Sequence, residues 1–299
     1  MRTADIDFLI IGAAKSATTW LQRALQNAPG VAMPDPELHY FSRAWERGPR
    51  WYLAQFPAAP PGTTARVVRG EKSNSYLADP LAPGRIREAM PDVRMIVQMR
   101  DPVARAYSDY CMLFRRAEVG TNVEDHLDPR RAADGRFLAL GRYAEQIERF
   151  HEHFASDRFL HLAFEDTLAR PMAALESVHR FLGLAPPRPE QLPGRVKDRG
   201  ERMVAPELRR RLAPLKPLVA PLRGTAAFEA VRGRIAAPIA YPPLPEPLRG
   251  RMEDHYRPHN ERLRRLTGLA LSRWYDACDE APAFAAHAPA APPAAVLEG

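Results

Sequence analysis

The chain has 299 residues, of which 45% are hydrophobic, and a formal net charge of +7. This length allows one large α/β domain with a substantial core. It contains no run of about 18 apolar residues, which excludes a transmembrane helix, and its start lacks the pattern of a signal peptide. The only cysteines are Cys111 and Cys278, so we expect a cytoplasmic protein with thiols rather than a disulfide.

The positive charge is concentrated in one part of the chain. Residues 194–234 contain eleven Lys and Arg residues against four Asp and Glu, a difference of seven that equals the whole net charge. A basic face of this kind attracts an anionic ligand or acceptor, and nucleic-acid binding is the alternative interpretation. Because the segment is rich in proline and lacks a series of interleaved aromatic residues, we do not expect nucleic acid as the partner.

Apolar periodicity predicts strands and helices that alternate along the chain. The predicted strands cover residues 6–11, 31–33, 66–70, 94–99 and 159–164. The predicted helices begin near Trp20, Pro102, Tyr143 and Met172, and a last helix covers about 246–266. Residues 115–140 form a charged excursion between two of these helices. The alternation indicates an α/β fold with a central parallel sheet flanked by helices.

The same patterns predict a single domain over residues 1–280. Its core covers 6–190, followed by a Pro/Arg-rich region at 191–245 and a C-terminal helical region at 246–275. Residues 281–299 are a low-complexity Ala/Pro tail, which we expect to be disordered. The high content of Ala, Arg and Pro indicates a bacterial origin.

The most informative stretch is FLIIGAAKSATT at residues 8–19. An apolar strand runs into Gly12, Lys15 follows, and small and hydroxyl residues lead into a helix. Backbone N–H groups, the positive end of the helix dipole and a lysine then converge, which is typical of a phosphate cradle. The GK[ST] ending of the common nucleotide-binding loop is missing. An ordinary strand–turn–helix with a surface lysine is the alternative.

A second motif is MRDPVARAYSDY at residues 99–110. Arg100 ends a buried strand, where open α/β sheets bind ligands, and Ser108 follows about two helical turns later. An arginine and a hydroxyl so placed are suited to a second phosphate. The alternative is that Arg100 pairs with Asp101 or Asp109 at a helix start.

Two shorter motifs carry candidate acid–base groups. PDPELHYFS at 34–42 has Glu37 and His39 two residues apart, so an extended segment would present both on one face. The alternative is a loop glutamate and a packed histidine. GEKSNSYL at 70–77 has Lys72 directly after a short strand, and a solvated lysine is its alternative.

Together and in this order, these four motifs resemble the sulfotransferases that use 3′-phosphoadenosine-5′-phosphosulfate (PAPS), especially the heparan-sulfate type and its bacterial relatives. The resemblance covers residues 6–185 well and 246–275 moderately. It includes FLHLAFEDTLARP at 159–171 and VHRFLGL at 178–184. It implies a P-loop-like three-layer fold and transfer of a sulfuryl group to a hydroxyl or amine of a glycan or small-molecule acceptor.

The resemblance also implies a role for each motif. The donor's 5′-phosphosulfate would bind the first loop, at Lys15, Ser16, Ala17, Thr18 and Thr19. Its 3′-phosphate would bind Arg100 and Ser108. Glu37 would be the general base with His39 beside it, and Lys72 would approach the transferred group.

Two residues compete for the role of base. Glutamate is a weak base at neutral pH unless an apolar environment disfavours its charge, and Tyr40 and Phe41 are candidates for such a wall. The imidazole of His39 titrates near neutral pH and is the alternative. Lysines suffice for the charge on the moving group, and no Asp/His cluster has metal-ligand spacing, so we expect no metal.

The sequence departs from the family pattern in two places. The family usually has Gly-Gly or Ser-Gly after the loop lysine, whereas this chain has Ser16-Ala17, and Ala17 hinders close approach of a phosphate. The family's late basic loop over the nucleotide has Arg195, Lys197 and Arg199 as candidates here, without an assignment.

Two other functions compete with sulfuryl transfer. A P-loop kinase or ATPase is the second enzyme hypothesis, although GK[ST] is absent and Arg100 stands where a metal-binding acid is expected. A nucleotide- or nucleic-acid-binding module that uses residues 194–234 is the non-enzyme hypothesis.

Overall fold

The computed structural model describes residues 1–58, 66–194, 225 and 239–274. Within these residues the centre is a five-stranded sheet with the order β2-β3-β1-β4-β5, and all of its pairings are parallel. The strands are β1 (Phe8–Gly12), β2 (Val31–Ala32), β3 (Val68–Lys72), β4 (Arg94–Met99) and β5 (Phe159–Ala163). The predicted α/β fold with a central parallel sheet is confirmed.

Helices flank this sheet, and several are single turns in the segments that connect longer elements. Among the described residues they are α1 (Thr18–Gln26), α2 (Tyr40–Arg43), α3 (Gly48–Leu53), α4 (Ala82–Ala89), α5 (Pro102–Arg115), α6 (Glu124–Leu127), α7 (Pro129–Ala132), α8 (Arg136–Ala139), α9 (Tyr143–His151), α10 (Phe164–Ala169), α11 (Pro171–Leu182) and α12 (Glu246–Thr267).

The register brings the carboxyl ends of three strands to one edge of the sheet. Ile10 of β1 lies opposite Lys72 of β3, and Gly12 of β1 lies opposite Val97 of β4. The segments that follow β1, β3 and β4 therefore leave the sheet side by side. This is the edge at which open α/β sheets bind ligands.

Strand β3 extends further than the sequence predicts. The predicted strand ends at residue 70, but β3 runs from Val68 to Lys72. Glu71 and Lys72 are charged residues, yet they lie in this strand and are 0% and 2% exposed. Both charges have polar partners inside the protein, which a single sequence does not reveal.

Separate apolar clusters cover the two faces of the sheet. Along β1, Leu9 and Ile11 pack in the cluster that includes residues of α4 and α9. Phe8 and Ile10 pack in the cluster that includes residues of α1 and α11. Every residue of β1 is buried, as expected for a parallel strand covered on both faces.

The predicted charged excursion at 115–140 contains three short helices, α6, α7 and α8. Leu127, Phe137 and Leu138 are buried in a third cluster with residues of α5 and α12. Helix α12 matches the predicted last helix to within one residue at its end. The excursion therefore links the C-terminal helix to α5, through apolar residues too widely spaced to show a clear period.

The division into a single domain over residues 1–280 stays a prediction. Most of the Pro/Arg-rich region and of the basic segment at 194–234 lies outside the described residues, and so does the tail at 281–299. In the part of the chain that the structure describes, no helix has both the length and the apolar character to cross a membrane.

Candidate active site

The loop between β1 and α1 is tied to strand β4. The Ala13 N–H donates to the Gln98 carbonyl over 2.7 Å, and the buried Gln98 side chain donates to the Ser16 carbonyl over 2.5 Å. A Cβ at Gly12 would lie 2.7 Å from the Leu77 Cβ, so a larger residue would require a shift there. The loop therefore has a shape set by β4 and by the segment after β3.

Two residues of this loop have left-handed backbone conformations. Lys15 has a φ of 72° and Ala17 a φ of 58°. Ala17 precedes α1, which begins at Thr18 and has nine residues. The first N–H groups of an α-helix have no intrahelical acceptor, so Thr18 and Thr19 present donors at the positive end of the dipole. This geometry is suited to an anion.

The predicted loop residues fall into two sets by exposure. Ser16 and Thr18 are buried, whereas Lys15, Ala17 and Thr19 are partly exposed. The Ser16 hydroxyl oxygen is inaccessible to solvent and has no hydrogen-bond partner among the described residues. An unsatisfied buried hydroxyl calls for an explanation, and a ligand-binding loop is one. The ligand-binding role of all five residues stays a prediction.

Lys72 joins three segments of the chain. It ends β3, and its side chain is 1% exposed. Its Nζ lies 2.5 Å from Glu37 Oε1 and 3.3 Å from Thr19 Oγ1. The alternative of a solvated lysine is therefore wrong. The buried ammonium instead connects the loop after β1 to the segment that carries Glu37.

The Glu37 carboxylate is held on one side and accessible on the other. Its Oε2 accepts the Asn74 N–H over 3.0 Å, and its Oε1 accepts the Asn74 side-chain amide over 3.3 Å. The side chain nevertheless remains 22% exposed. A carboxylate that is fixed and reachable has the geometry that a general base needs.

Glu37 and His39 lie together, but not by the extended geometry that their spacing suggests. His39 has a left-handed conformation with a φ of 52° and precedes α2. Its N–H donates to Ser73 Oγ over 2.8 Å. This turn leaves His39 Nε2 3.8 Å from Glu37 Oε2.

The hydrogen bonds around His39 are consistent with a proton on Nδ1. Ser42 Oγ donates to the His39 carbonyl over 3.3 Å and also lies 2.7 Å from Ser75 Oγ. Ser75 Oγ lies 2.7 Å from His39 Nδ1, and all of these contacts are satisfied when Nδ1 carries the proton and Nε2 does not. Burial lowers the pKa of His39, although Glu37 acts in the opposite direction. In this tautomer, His39 presents a neutral Nε2 beside Glu37.

Arg100 directly follows β4 at the same edge of the sheet. Its guanidinium carbon lies 4.9 Å from the centre of the Phe164 ring, which is a cation–π contact. Ser108 lies on α5 about two turns further along and is partly buried. Asp109, one of the alternative partners for Arg100, forms its ion pairs with arginines of α5 and α8.

Glu165 is a residue of this region that the sequence reasoning missed. It lies on α10, next to the end of β5. Its Oε1 accepts the Asp101 N–H over 3.0 Å, and its Oε2 accepts the Trp274 indole N–H over 2.8 Å. Burial raises the pKa of Asp101 to about 6 and also raises that of Glu165. A signal existed, because Glu165 follows a buried strand as Arg100 does.

Two expectations about the surroundings of the site have different outcomes. Tyr40 and Phe41 are 1% and 0% exposed, and the Tyr40 ring stacks on Tyr52 at 4.5 Å. Both residues therefore lie in the apolar core, and their role as an apolar wall for Glu37 stays a prediction. The candidates for the late basic loop lie outside the described residues: Arg195, Lys197 and Arg199.

The chain is similar in sequence to known sulfotransferases. Residues 51–188 match the model of a family described as the sulfotransferase family. Human heparan sulfate glucosamine 3-O-sulfotransferase 3B1 is 32% identical over 181 residues, which are 59% of this chain and 45% of that protein. Human heparan sulfate glucosamine 3-O-sulfotransferase 6 is 28% identical over 272 residues, which are 87% of this chain and 71% of that protein. The chain thus spans less than half the length of the first of these relatives.

A solved structure supports the fold. The sulfotransferase from Alicyclobacillus acidocaldarius aligns with a TM-score of 0.64 over 90% of this chain and 98% of that chain, at 21% identity. The predicted P-loop-like three-layer architecture is confirmed. The family match at 51–188 includes Lys72, Arg100 and Ser108, whereas Glu37 and the loop after β1 precede it.

Proposed function

We propose that the chain transfers a sulfuryl group from PAPS to an acceptor hydroxyl or amine, on the premise that residues 51–188 match the sulfotransferase family. One observation carries the proposal. The buried Lys72 ammonium contacts Thr19 of the loop after β1 and the accessible carboxylate of Glu37. An anion cradle, a cation and a candidate base are thereby adjacent, as a transfer between two bound substrates requires.

The acceptor is proposed only as a class. The relatives named above are described as acting on a glucosamine of heparan sulfate, at an oxygen. By analogy, the acceptor of this chain is a hydroxyl or amine of a glycan or of a small molecule. We propose no nucleic-acid partner.

The residues at the carboxyl edge of the sheet fit the donor. Lys15, Thr19 and the N–H groups at the start of α1 would hold the 5′-phosphosulfate, and the buried, unsatisfied Ser16 hydroxyl is consistent with an anion at this loop. Arg100 and Ser108 would hold the 3′-phosphate, with the guanidinium backed by Phe164. PAPS supplies the group that is transferred. The proposal includes no metal.

The remaining residues have proposed roles that their positions and the family resemblance support. Glu37 would accept the acceptor's proton as the acceptor oxygen bonds to sulfur and the sulfur–oxygen bond to the nucleotide breaks. Lys15 would stabilise the charge that develops on the nucleotide, and Lys72 would hold the sulfuryl oxygens. His39, whose Nε2 lies 3.8 Å from Glu37, is the alternative base.

Calorimetric titration tests the donor site. We expect 3′-phosphoadenosine-5′-phosphate to bind without metal, and Arg100→Ala to weaken this binding by about 10- to 100-fold because a charged hydrogen bond to phosphate is lost. Arg158→Ala is the matched control, because Arg158 precedes β5 at the opposite edge of the sheet, where it contacts Asp92. Its affinity should equal that of the wild type.

The same titration with ATP and Mg²⁺ tests the competing enzyme class. Preference for Mg-ATP, or equal affinities in Arg100→Ala and Arg158→Ala, would refute the sulfotransferase proposal and favour the kinase hypothesis.

Cytoplasmic location and bacterial origin remain part of the proposal, and both are inferred from the composition of the sequence.

A further inference from the structure

A buried carboxylate lies next to Lys72 and has no part in the proposed transfer. Glu71 is 0% exposed. Its carboxylate accepts the Tyr52 hydroxyl over 2.9 Å, the Tyr76 hydroxyl over 2.8 and 3.0 Å, and the Ser73 hydroxyl. Burial of a carboxylate is costly even when hydroxyl groups donate hydrogen bonds to it, so this arrangement calls for a reason.

Ser73 connects this carboxylate to the candidate active site. A hydroxyl has one proton, and Ser73 donates it to Glu71 Oε1. The lone pairs of Ser73 Oγ are then directed at the N–H of His39, which lies 2.8 Å away. The ionised carboxylate therefore orients the acceptor that holds the His39 backbone.

The His39 backbone needs such a restraint. Its φ of 52° lies in the left-handed region, which residues other than glycine adopt at a cost. The turn at His39 sets the 3.8 Å separation between its Nε2 and Glu37 Oε2. If the bond to Ser73 were lost, the turn would relax and the two candidate bases would separate.

We propose that Glu71 is a positioning residue that holds the Glu37–His39 segment in its reactive geometry through the hydroxyl of Ser73. The inference rests on the proposed function for its kinetic consequence, but its geometric consequence is independent of it. Glu71 touches neither the bound donor nor the acceptor in this scheme, and it acts only through Ser73.

The charges around Glu71 support a dependence on pH. Burial raises the pKa of Glu71 to about 7, against the hydrogen bonds from Ser73, Tyr76 and Tyr52, and the charge of Glu37 adds to the increase. Burial also raises the pKa values of both tyrosines, so they remain neutral donors. The ionised fraction of Glu71, which is the form that orients Ser73, therefore increases as pH rises through about 7.

Two variants test the connection: Ser73→Ala removes the hydroxyl, and Glu71→Gln removes the charge and one of the two acceptor oxygens that three hydroxyl groups share. The first readout is hydrogen exchange at the His39 amide, which requires no activity, and we expect exchange at least about tenfold faster in both variants. The second is steady-state kinetics, in which kcat should fall about tenfold or more while KM and nucleotide affinity change little. The double variant should lose no more than either single variant, because both changes interrupt one path.

The pH profile separates positioning from a general loss of stability. In the wild type, kcat should increase as pH rises through about 7, and Glu71→Gln should lack this limb. Tyr52→Phe is the matched control, because it removes a hydroxyl from Glu71 and leaves Ser73 in place. Tyr52→Phe should lower the melting temperature, while kcat and the exchange rate of the His39 amide should equal those of the wild type.

The possible outcomes distinguish the positioning role from the sulfotransferase proposal. Unchanged exchange at His39 in Glu71→Gln and Ser73→Ala overturns the positioning role, and so does a loss in Tyr52→Phe equal to that in Glu71→Gln. Faster exchange in a protein that binds no 3′-phosphoadenosine-5′-phosphate supports the positioning role and refutes the sulfotransferase proposal. If Glu71→Gln does not fold, Ser73→Ala decides, because it leaves the carboxylate its two tyrosine donors.

Discussion

Lys72 Nζ lies 2.5 Å from Glu37 Oε1, and the ion pair joins the end of β3 to a segment 35 residues earlier in the chain. The two side chains are unequally exposed, at 1% for the lysine and 22% for the glutamate. The pair therefore has one partner in the interior and the other at the surface. Removal of the Glu37 charge would leave the buried Lys72 ammonium without its ionic partner. The Glu37 carboxylate itself remains accessible to solvent.

Glu37→Gln should affect stability and activity together. The buried Lys72 loses its ionic partner, which we expect to cost about 1–3 kcal/mol of the free energy of unfolding. Loss of a general base should lower kcat about 10²- to 10⁴-fold, with nucleotide affinity preserved. Chemical denaturation, calorimetry and turnover measurements check these three expectations.

His39→Ala distinguishes the two candidate bases. With Glu37 as the base, His39→Ala should reduce kcat less than Glu37→Gln does, because the carboxylate keeps its contacts with Asn74 and Lys72. An active Glu37→Gln variant beside an inactive His39→Ala variant would assign the base to the unprotonated Nε2 of His39.

Ala17→Gly should stabilise the protein. Ala17 has a φ of 58°, and the left-handed region costs a residue with a Cβ about 1–2 kcal/mol. Glycine loses more backbone entropy on folding, by about 0.5–1 kcal/mol, so the net gain should be about 0.5–1 kcal/mol. The family that the sequence resembles usually has glycine at this position. The left-handed backbone conformation of Ala17 supplies a physical reason for that preference.

Ala24→Gly is the matched control for this substitution. Ala24 lies inside α1 and is fully buried. Glycine in a helix interior costs about 1 kcal/mol, so the control should be destabilised. Urea denaturation of both variants is the measurement, and a loss of stability in Ala17→Gly comparable to that in Ala24→Gly would show that the left-handed conformation is not a source of strain.

Topology explains why part of the site could be predicted. Lys15 and Arg100 follow apolar runs that are clear in the sequence, and residues after parallel strands meet at one edge. The sequence also predicts Lys72 directly after a short strand, although β3 in fact includes it. The proximity of these residues therefore depends on strand order alone, which alternating strands and helices restrict strongly.

The contacts that shape the site could not be predicted in this way. Ser73, Asn74 and Ser75 read as an ordinary polar loop, yet they bind the backbone of His39, the carboxylate of Glu37 and the imidazole of His39. These bonds depend on how a segment 35 residues away approaches β3 in three dimensions. Local periodicity contains no record of that approach.

The bond between Trp274 and Glu165 is a second contact of this kind, across 109 residues. Trp274→Phe should lower the free energy of unfolding by about 1–2 kcal/mol, because the indole is buried and the Glu165 carboxylate loses a donor. Glu165 also accepts the N–H of Asp101, which follows Arg100. Nucleotide affinity should therefore fall as well, by about two- to tenfold.

A double-mutant cycle checks this expectation. Glu165→Ala and Trp274→Phe should be non-additive by about 0.5–2 kcal/mol in chemical denaturation, since each removes the bond between the two side chains. Additive losses would mean that the indole contributes through apolar packing alone, for example against Tyr143, whose ring centre lies 6.1 Å from it.

The last prediction concerns a histidine on the edge strand β5. Burial lowers the pKa of His161 to about 4, and the charge of His151 acts in the same direction. The unfolded chain has a pKa near 6.5 at this residue, so it binds more protons than the folded protein between about pH 4 and 6.5. Stability should therefore fall as pH decreases through this window. At pH 5 the loss attributable to His161 should be about 2 kcal/mol.

His161→Phe should remove this part of the acid sensitivity. The His161 ring is stacked on Phe159 with a centre-to-centre distance of 5.9 Å, so a phenyl ring suits the site. Urea denaturation at pH 7.5 and pH 5 measures the difference for wild type and variant, with His153→Gln as the control because His153 is exposed. The difference should shrink in His161→Phe and persist in His153→Gln. An equal difference in all three proteins would show that His161 is as easily protonated in the folded chain as in the unfolded one, and that acid sensitivity arises elsewhere.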